Sequence, residues 1–351
     1  MKLMNFCYFF FLGLILCNLI SCNIKQKEVL YNQDFNVVKQ VAIDRSQNFC
    51  VVLLDTTNLT SRIYLERLRD NAIQAVFNIV NLELPSSHWY KQWLFSNSDP
   101  VTCIFAPSGN LIDIIPGASR KCLRCIKQVV DTGTRCSELS YYNNFFLKKE
   151  QLIPVLDNIL ECKYRAEKGL NIESQISLLL DSINYPYGVY LGMMNFVNHG
   201  EYEKAKLLAK QLLSFNNDLD LEIYPELQIL AKGLVDPNYN SKAEPKLECV
   251  SQVLLSNCEK NVPRRFELEV NNSGESSLKI QEVQLSCSCI NLVEEKTYII
   301  PPHKSQNIKL KFTANKAGRI VREIVLKSNG IYPITRIKIV TNVSPSKGKE
   351  A

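Results

Sequence analysis

The sequence predicts a multi-domain α+β protein with an alternating strand–helix region, a helical middle and a C-terminal β-sandwich. Three observations predict it. Continuous apolar runs alternate with helical spacing over residues 30–132, helical periodicity dominates 133–240, and strict two-residue alternation sets in from Leu247. The 351 residues leave room for two or three domains. With 46% apolar and 22% charged residues, the chain is neither disordered nor collagen-like. A polytopic membrane protein is excluded because the one long apolar run lies at the N-terminus. A net charge of +6 is too dilute to suggest nucleic acid. The three histidines, His88, His199 and His303, are far apart in the sequence, so no metal and no cofactor are expected.

Residues 1–21 read as a signal peptide. Lys2 is its only charge, and the apolar run Phe6–Cys17 is too short to span a bilayer as a helix. The run ends at Leu19-Ile20-Ser21-Cys22, which resembles the lipobox of bacterial lipoproteins. The resemblance implies that Cys22 is lipidated and that the chain is cut before it, which takes the net charge from +6 to +5 by removing Lys2. Several acyl chains would anchor it stably. An ordinary cleaved signal and an uncleaved anchor helix are the other readings. Residues 22–29 form a polar tether without an acidic stretch, which favours a periplasm-facing position in the bacterial envelope.

The strand–helix region begins with Phe49–Leu54, an apolar run suited to a strand buried on both faces. Asp55 ends it, and Leu59, Ile63 and Leu68 mark a helix. A strand over Ala75–Leu82, an aromatic-rich helix around Trp89 and Trp93, and strands Val101–Phe105 and Leu111–Ile115 follow, then a helix from Ser119. This order, with Asp99-Pro100 before a strand, Pro107-Ser108-Gly109 at a turn and Gly117, resembles the thioredoxin-like fold. The resemblance implies a cis-proline at Pro100 facing the catalytic site. Where oxidoreductases of that fold carry Cys-x-x-Cys, this chain reads Asp55-Thr56-Thr57-Asn58-Leu59-Thr60-Ser61, with no thiol for exchange.

A Cys-x-x-Cys does occur at Cys122 and Cys125, on the last helix and away from Pro100. Helix N-termini and nearby cations such as Arg120, Lys121 and Arg124 favour thiolates in general. Redox use, a structural disulfide and two half-buried thiols are the readings of this pair. Zinc lacks a second ligand pair at a familiar spacing.

The helical middle, 133–240, carries apolar stripes through Leu152, Val155, Leu156, Ile159 and Leu160, and through Ile176, Leu179, Leu180 and Ile183. Gly200-Glu201-Tyr202-Glu203-Lys204-Ala205 resembles the turn and second-helix start of a tetratricopeptide repeat, and an ordinary helical linker domain is the other reading. In 247–343, Phe266, Leu268 and Val270 alternate with Glu267 and Glu269 before the turn Asn271–Gly274. The inward parity then shifts from Leu278 and Ile280 to Val283 and Leu285, which predicts a bulge near Gln281-Glu282 in an immunoglobulin-like sandwich. Phe266–Asn272, Gly274, Val283, Ser286–Cys289, Ile300-Pro301, Ile308–Phe312, Gly318 and Ser328-Asn329 resemble the bacterial family catalogued as domain of unknown function 1573. Ser288 and Ile290 depart from its usual glycine and threonine. Cys287 and Cys289 continue the apolar face, which reads as core packing. A disulfide to Cys258 or Cys249, and metal or redox use, are the alternatives. Residues 344–351 are a polar tail.

No complete Ser-His-Asp set, phosphate loop or metal motif appears. The expected function is therefore non-catalytic binding or scaffolding by a lipid-anchored envelope protein. Its partners would be the membrane, through the lipid, and an envelope protein or ligand. Thiol–disulfide chemistry at Cys122 and Cys125, or binding of a peptide or glycan, are the alternatives.

Overall fold

The computed structural model describes residues 27–56, 59–97, 99–143, 145, 147–294 and 297–345. The signal peptide, Cys22 and most of both the tether and the tail lie outside these residues. The architecture is mixed α and β, and the chain divides after Glu161 into two compact units. The sequence-based boundary at residue 132 thus differs from the observed one. Residues 133–161 belong to the first unit because polar groups bind them to its sheet, which periodicity does not reveal.

The first unit is a five-stranded sheet in the order β1-β3-β2-β4-β5, with β1 Glu28–Tyr31, β2 Phe49–Leu54, β3 Val76–Asn81, β4 Val101–Phe105 and β5 Leu111–Pro116. β1, β3 and β2 run parallel, while β4 and β5 are antiparallel to their neighbours. All six residues of β2 are buried, so its two faces serve two cores. Cys50, Val52 and Leu54 pack with Tyr64 and Leu68 of helix Leu59–Asp70 and with Ile126 and Val129 of helix Arg120–Thr132. On the other face Phe49 meets Phe35 and Phe105 with ring centroids 4.9–5.3 Å apart, an arrangement that adds to the area term. Phe35 opens the helix Phe35–Arg45, whose first turn is capped by the Asp34 carboxylate accepting from the Asn36 N–H at 2.8 Å.

Two buried anchors hold the later segment to this sheet. Asp113 on β5 is fully buried; its Oδ1 accepts from Lys149 Nζ at 2.6 Å and its Oδ2 from the Cys136 N–H at 2.8 Å. Lys149 also donates to the Cys136 carbonyl at 3.1 Å. Two turns further along helix Lys149–Glu167, Trp93 Nε1 donates to the Leu156 carbonyl, and Asp157 accepts from the Leu111 N–H at 2.7 Å.

The second unit begins with antiparallel helices. Glu173–Ser182 packs on Pro186–Asn198, which pairs with Tyr202–Ser214, which packs on Pro225–Val235. The turn between Pro186–Asn198 and Tyr202–Ser214 places Gly200 at φ +76°, a conformation costly for other residues. Ala205 and Ala209 are fully buried, so the helices can approach closely. A short helix, Asp218–Ile223, is pinned to the following sandwich by Lys327, which bridges Asp218 at 2.6 Å and Glu282 at 3.0 Å, and by Arg336 on Glu222.

The rest is a two-sheet sandwich. One sheet has the order β10-β12-β8-β6, with β6 Leu247–Cys249, β8 Arg264–Asn272, β10 Ile290–Leu292 and β12 Ser305–Phe312. The other has the order β11-β9-β13-β14-β7, with β7 Gln252–Glu259, β9 Leu278–Leu285, β11 Tyr298–Ile300, β13 Gly318–Ser328 and β14 Ile334–Ser344. Among the described residues of the sandwich, β7 and β14 pair in parallel and the other strand pairs are antiparallel. Between the sheets, Leu268, Val270, Ile280, Ile308, Leu310 and Phe312 form part of one core. In the pairing of β13 with β9, Lys327 opposes Glu282 and Ser328 opposes Ile280, leaving Gln281 as the extra residue of a bulge. That extra residue lets Ile280 and Val283 both face the core.

The Asp157 carboxyl is raised from 3.8 to about 6, chiefly by burial, against the opposing pull of the Leu111 N–H and Arg135. Because folding raises it, the stability it contributes is fully present below pH 3.8 and is lost as pH rises through about 6. Asp157→Asn keeps an acceptor for Leu111 and removes the buried charge. Thermal unfolding should show the variant more stable than wild type by about 1 kcal/mol at pH 7.5, after allowance for solvent screening. The difference should vanish below about pH 4.

Candidate functional site

The β2–β4 register sets Leu53 opposite Val101, so the C-terminal end of β2 and the start of β4 meet at one edge of the sheet. Asp55 and Pro100, both buried, therefore flank the same corner. The Asp99–Pro100 peptide bond is cis, and the Pro100 carbonyl accepts from the Gly117 N–H at 2.8 Å. Thr57 and Asn58 lie outside the described residues; Thr60 is exposed and Ser61 buried at the start of the next helix. Cys103, two residues into β4 from this corner, and Cys50, toward the far end of β2, have no solvent exposure, and burial pushes both thiols far above the ordinary range.

Cys122 stands nearer this corner than the sequence suggests. Ser119 caps its helix by accepting from the Cys122 N–H at 3.2 Å. The Cys122 thiol lies 3.1 Å from the Ser119 hydroxyl and donates to the Pro116 carbonyl at 3.1 Å. Pro116 is the β5 partner of Val101, so Cys122 and Pro100 share one end of the sheet.

The pairing of Cys122 with Cys125 is corrected by the structure. Cys125 forms a disulfide with Cys136, Cα to Cα 5.6 Å, and Cys122 remains a buried free thiol. Physically, Asp113 and Lys149 hold both the N–H and the carbonyl of Cys136, which delivers its side chain to the helix. Nothing periodic in 133–148 signals this; the one trace is a cysteine soon after the helix end.

Cys287 and Cys289 are corrected too. They form a disulfide with each other, Cα to Cα 5.2 Å, half-buried against the sandwich core. An extended strand would hold positions i and i+2 about 6.6 Å apart, but β9 has already ended at Leu285. Ser286 makes the last link to β13, accepting from the Glu323 N–H at 2.8 Å, and the chain then turns toward β10. The compact turn draws the two sulfurs together. Cys258 is buried and Cys249 half-buried, and both are free thiols. Burial pushes the Cys249 thiol up to about 11. Among the described residues no group of three or more His, Cys, Asp or Glu side chains is placed to hold a metal ion. Among them, likewise, no helix is long and apolar enough to cross a membrane.

The motif residues of the sandwich have a structural job. Asn272 is fully buried and uses its whole hydrogen-bonding capacity: Oδ1 accepts from the N–H groups of Lys246 and Gly274, and Nδ2 donates to the carbonyls of Ser276 and Ile300. A Cβ on Gly274 would sit 2.2 Å from the Glu244 carbonyl oxygen and 2.6 Å from the Lys246 nitrogen. Asn329 closes the other side, accepting from the Lys279 N–H at 2.7 Å, while the Pro245 carbonyl accepts from the Ile331 N–H at 2.8 Å. The segment Glu244–Lys246 is thus clamped between two turns.

Residues 250–343 match the family described as "Protein of unknown function (DUF1573)". The match takes in β7 to β14, less than half of the chain. No curated protein matches the chain. Among solved structures, a protein of unknown function from Porphyromonas gingivalis W83 is 18% identical over 30% of this chain and 50% of its own, with a TM-score of 0.27. This chain therefore spans half the length of that protein. The human CEP192 ASH / PapD-like domain is 11% identical over 32% of this chain and 94% of its own, at a TM-score of 0.27. A FixG-related protein from Vibrio parahaemolyticus is 9% identical over 28% of this chain and 96% of its own, at 0.22.

If Asn272 and Gly274 form the clamp, Gly274→Ala should destabilise the sandwich by about 2–4 kcal/mol, because backbone atoms cannot yield to the added methyl. Asn272→Leu should cost at least as much by orphaning four backbone groups, two of them in buried bonds. Urea unfolding of the full chain checks both as a lowered midpoint for the sandwich transition; Ser288→Gly should leave that midpoint nearly unchanged.

Proposed function

We propose that this protein is a lipid-anchored component of the bacterial cell envelope, facing the periplasm, that binds or scaffolds and does not catalyse. The lipid sits on Cys22, the membrane is reached through it, and an envelope protein or ligand is the second partner. One observation carries the non-catalytic reading. The corner where the end of β2 meets Pro100 carries Asp55, Thr56, Thr60 and Ser61, and the thiols closest to it, Cys103 on β4 and Cys122 on the helix after β5, are buried. Disulfide exchange requires an attacking thiolate that a substrate can reach.

Finer fold readings belong to the same proposal. The order β1-β3-β2-β4-β5, with helices on both faces, supports a thioredoxin-like first domain. The helix pair around Gly200 supports a tetratricopeptide-like hairpin, and the two sheets support an immunoglobulin-like C-terminal domain. A second reading, thiol–disulfide chemistry, is favoured by the disulfide on Cys125 with the free thiol of Cys122 one helical turn away.

Two measurements test the proposal. Radiolabelled palmitate should enter the wild-type protein in cells and be lost in Cys22→Ala; equal labelling of both would overturn the anchor. The detergent-solubilised full chain should not accelerate insulin reduction by dithiothreitol. Acceleration that Cys122→Ser abolishes would establish the second reading instead.

A further inference from the structure

Arg67, Arg120 and Arg124 line one open groove of about 740 Å³ on the first unit, together with Asp70, Asn71 and Leu123. All three arginines are exposed. Arg67 donates to the Ala118 carbonyl at 3.3 Å, and among the described residues none of the three is in an ion pair. Neighbouring cations on the same helix are matched, Lys121 by Glu138 and Lys127 by Asp131. Asp70 is the carboxylate of the lining, and it also acts on the Lys27 ammonium. Three guanidiniums against that one shared carboxylate leave the groove positive, and a guanidinium fits phosphate oxygens through paired N–H groups.

Chain length fixes how far this groove can lie from the lipid. Lys27 donates to the carbonyls of Leu68, Arg69 and Asn71, which closes the end of helix Leu59–Asp70. Asn71 lines the groove, so the start of the described chain is pinned beside it. Cys22 is five residues earlier. A link of that length extends at most about 18 Å, whatever path it takes.

We infer that the groove of Arg67, Arg120 and Arg124 docks on the bilayer that holds the anchor, with anionic phospholipid headgroups as its occupant. The inference rests on the lipidation of Cys22 proposed above. A lipid on a short tether holds the first unit at the surface but leaves it free to turn. Guanidiniums on headgroup phosphates remove that freedom. Helices Leu59–Asp70 and Arg120–Thr132, which share one face of the sheet, then lie toward the membrane, and helix Phe35–Arg45 on the other face points away from it.

Arginine footprinting tests it. The full chain is reconstituted in vesicles, floated and treated with phenylglyoxal, and modified arginines are located by mass spectrometry. One set of vesicles is phosphatidylcholine, the other equimolar phosphatidylcholine and phosphatidylglycerol. Modification of Arg67, Arg120 and Arg124 should fall at least about fivefold in the anionic vesicles, the partition that one basic residue gains at such a surface. Arg135 is the reference: it is exposed, donates to the Ile112 carbonyl on β5 at the sheet edge opposite β1, and should be unchanged. About 0.5 M salt should remove most of the protection. Inorganic phosphate added to the neutral vesicles should not protect. Equal modification of the three in both vesicles, equal protection of Arg135, or protection by free phosphate would each overturn the inference. Flotation with the neutral vesicles reads the anchor separately. A chain that does not float overturns the anchor and this inference together, whereas a chain that floats without protection overturns this inference alone.

Discussion

Each unit of this chain is organised around a buried polar group that must have every hydrogen bond met. In the first it is Asp113, in the second Asn272. An unmet buried donor or acceptor costs about 1–3 kcal/mol, and a buried charge that loses its partner costs more, about 3–5 kcal/mol. Asp113 therefore dictates where its surroundings go. Its two oxygens take Lys149, the Ile114 N–H and the Cys136 N–H, so the helix containing Lys149 and the segment before it have one low-energy position against β5. Asn272 does the same for the sandwich, since its four contacts tie the lead-in strand segment, a tight turn and the end of β11 to one side chain.

This view changes how the motif residues read. A buried asparagine followed by a glycine at close backbone approach looks like a binding feature in a sequence, yet here both specify a turn. The cysteines after β9 lock the crossing from one sheet to the other. Outward on the sandwich are ion pairs of modest worth, such as Lys327 between Asp218 and Glu282, beside exposed apolar side chains such as Leu254 and Ile299. These bridges orient the short helix Asp218–Ile223 on the β13–β14 ladder and have no evident chemistry.

Much of the architecture was legible because burial leaves periodic traces. Phe49–Leu54 is apolar throughout and is buried on both faces. The parity change after Ile280 corresponds to the extra residue Gln281. The resemblance of the C-terminal region to domain of unknown function 1573 agrees with the family match over 250–343. Long-range polar contacts leave no such trace. The attachment of 133–161 to the first unit rests on Asp113 with Lys149 and on Asp157 with Leu111, pairs 36 and 46 positions apart. Cysteine partners were illegible for the same reason: the pairing of Cys125 with Cys136 follows from where Asp113 holds the backbone. The Cys287–Cys289 pairing follows from β9 ending at Leu285. The candidate corner at Asp55 and Pro100 was legible as a place, because strand order brings those positions together, while the approach of Cys122 to it depends on the hydrogen bond to Pro116.

Hydrogen exchange of the full chain tests the central claim most directly, namely that fully satisfied buried polar groups hold the irregular segments as firmly as the strands. The N–H groups of Lys246 and Gly274, which donate to Asn272, and of Cys136, which donates to Asp113, all lie outside or at the margins of regular structure. The account predicts that these amides exchange as slowly as those of β8 and β2 in their respective units. Exchange at the rate of open loops, with the neighbouring strands still protected, would contradict it.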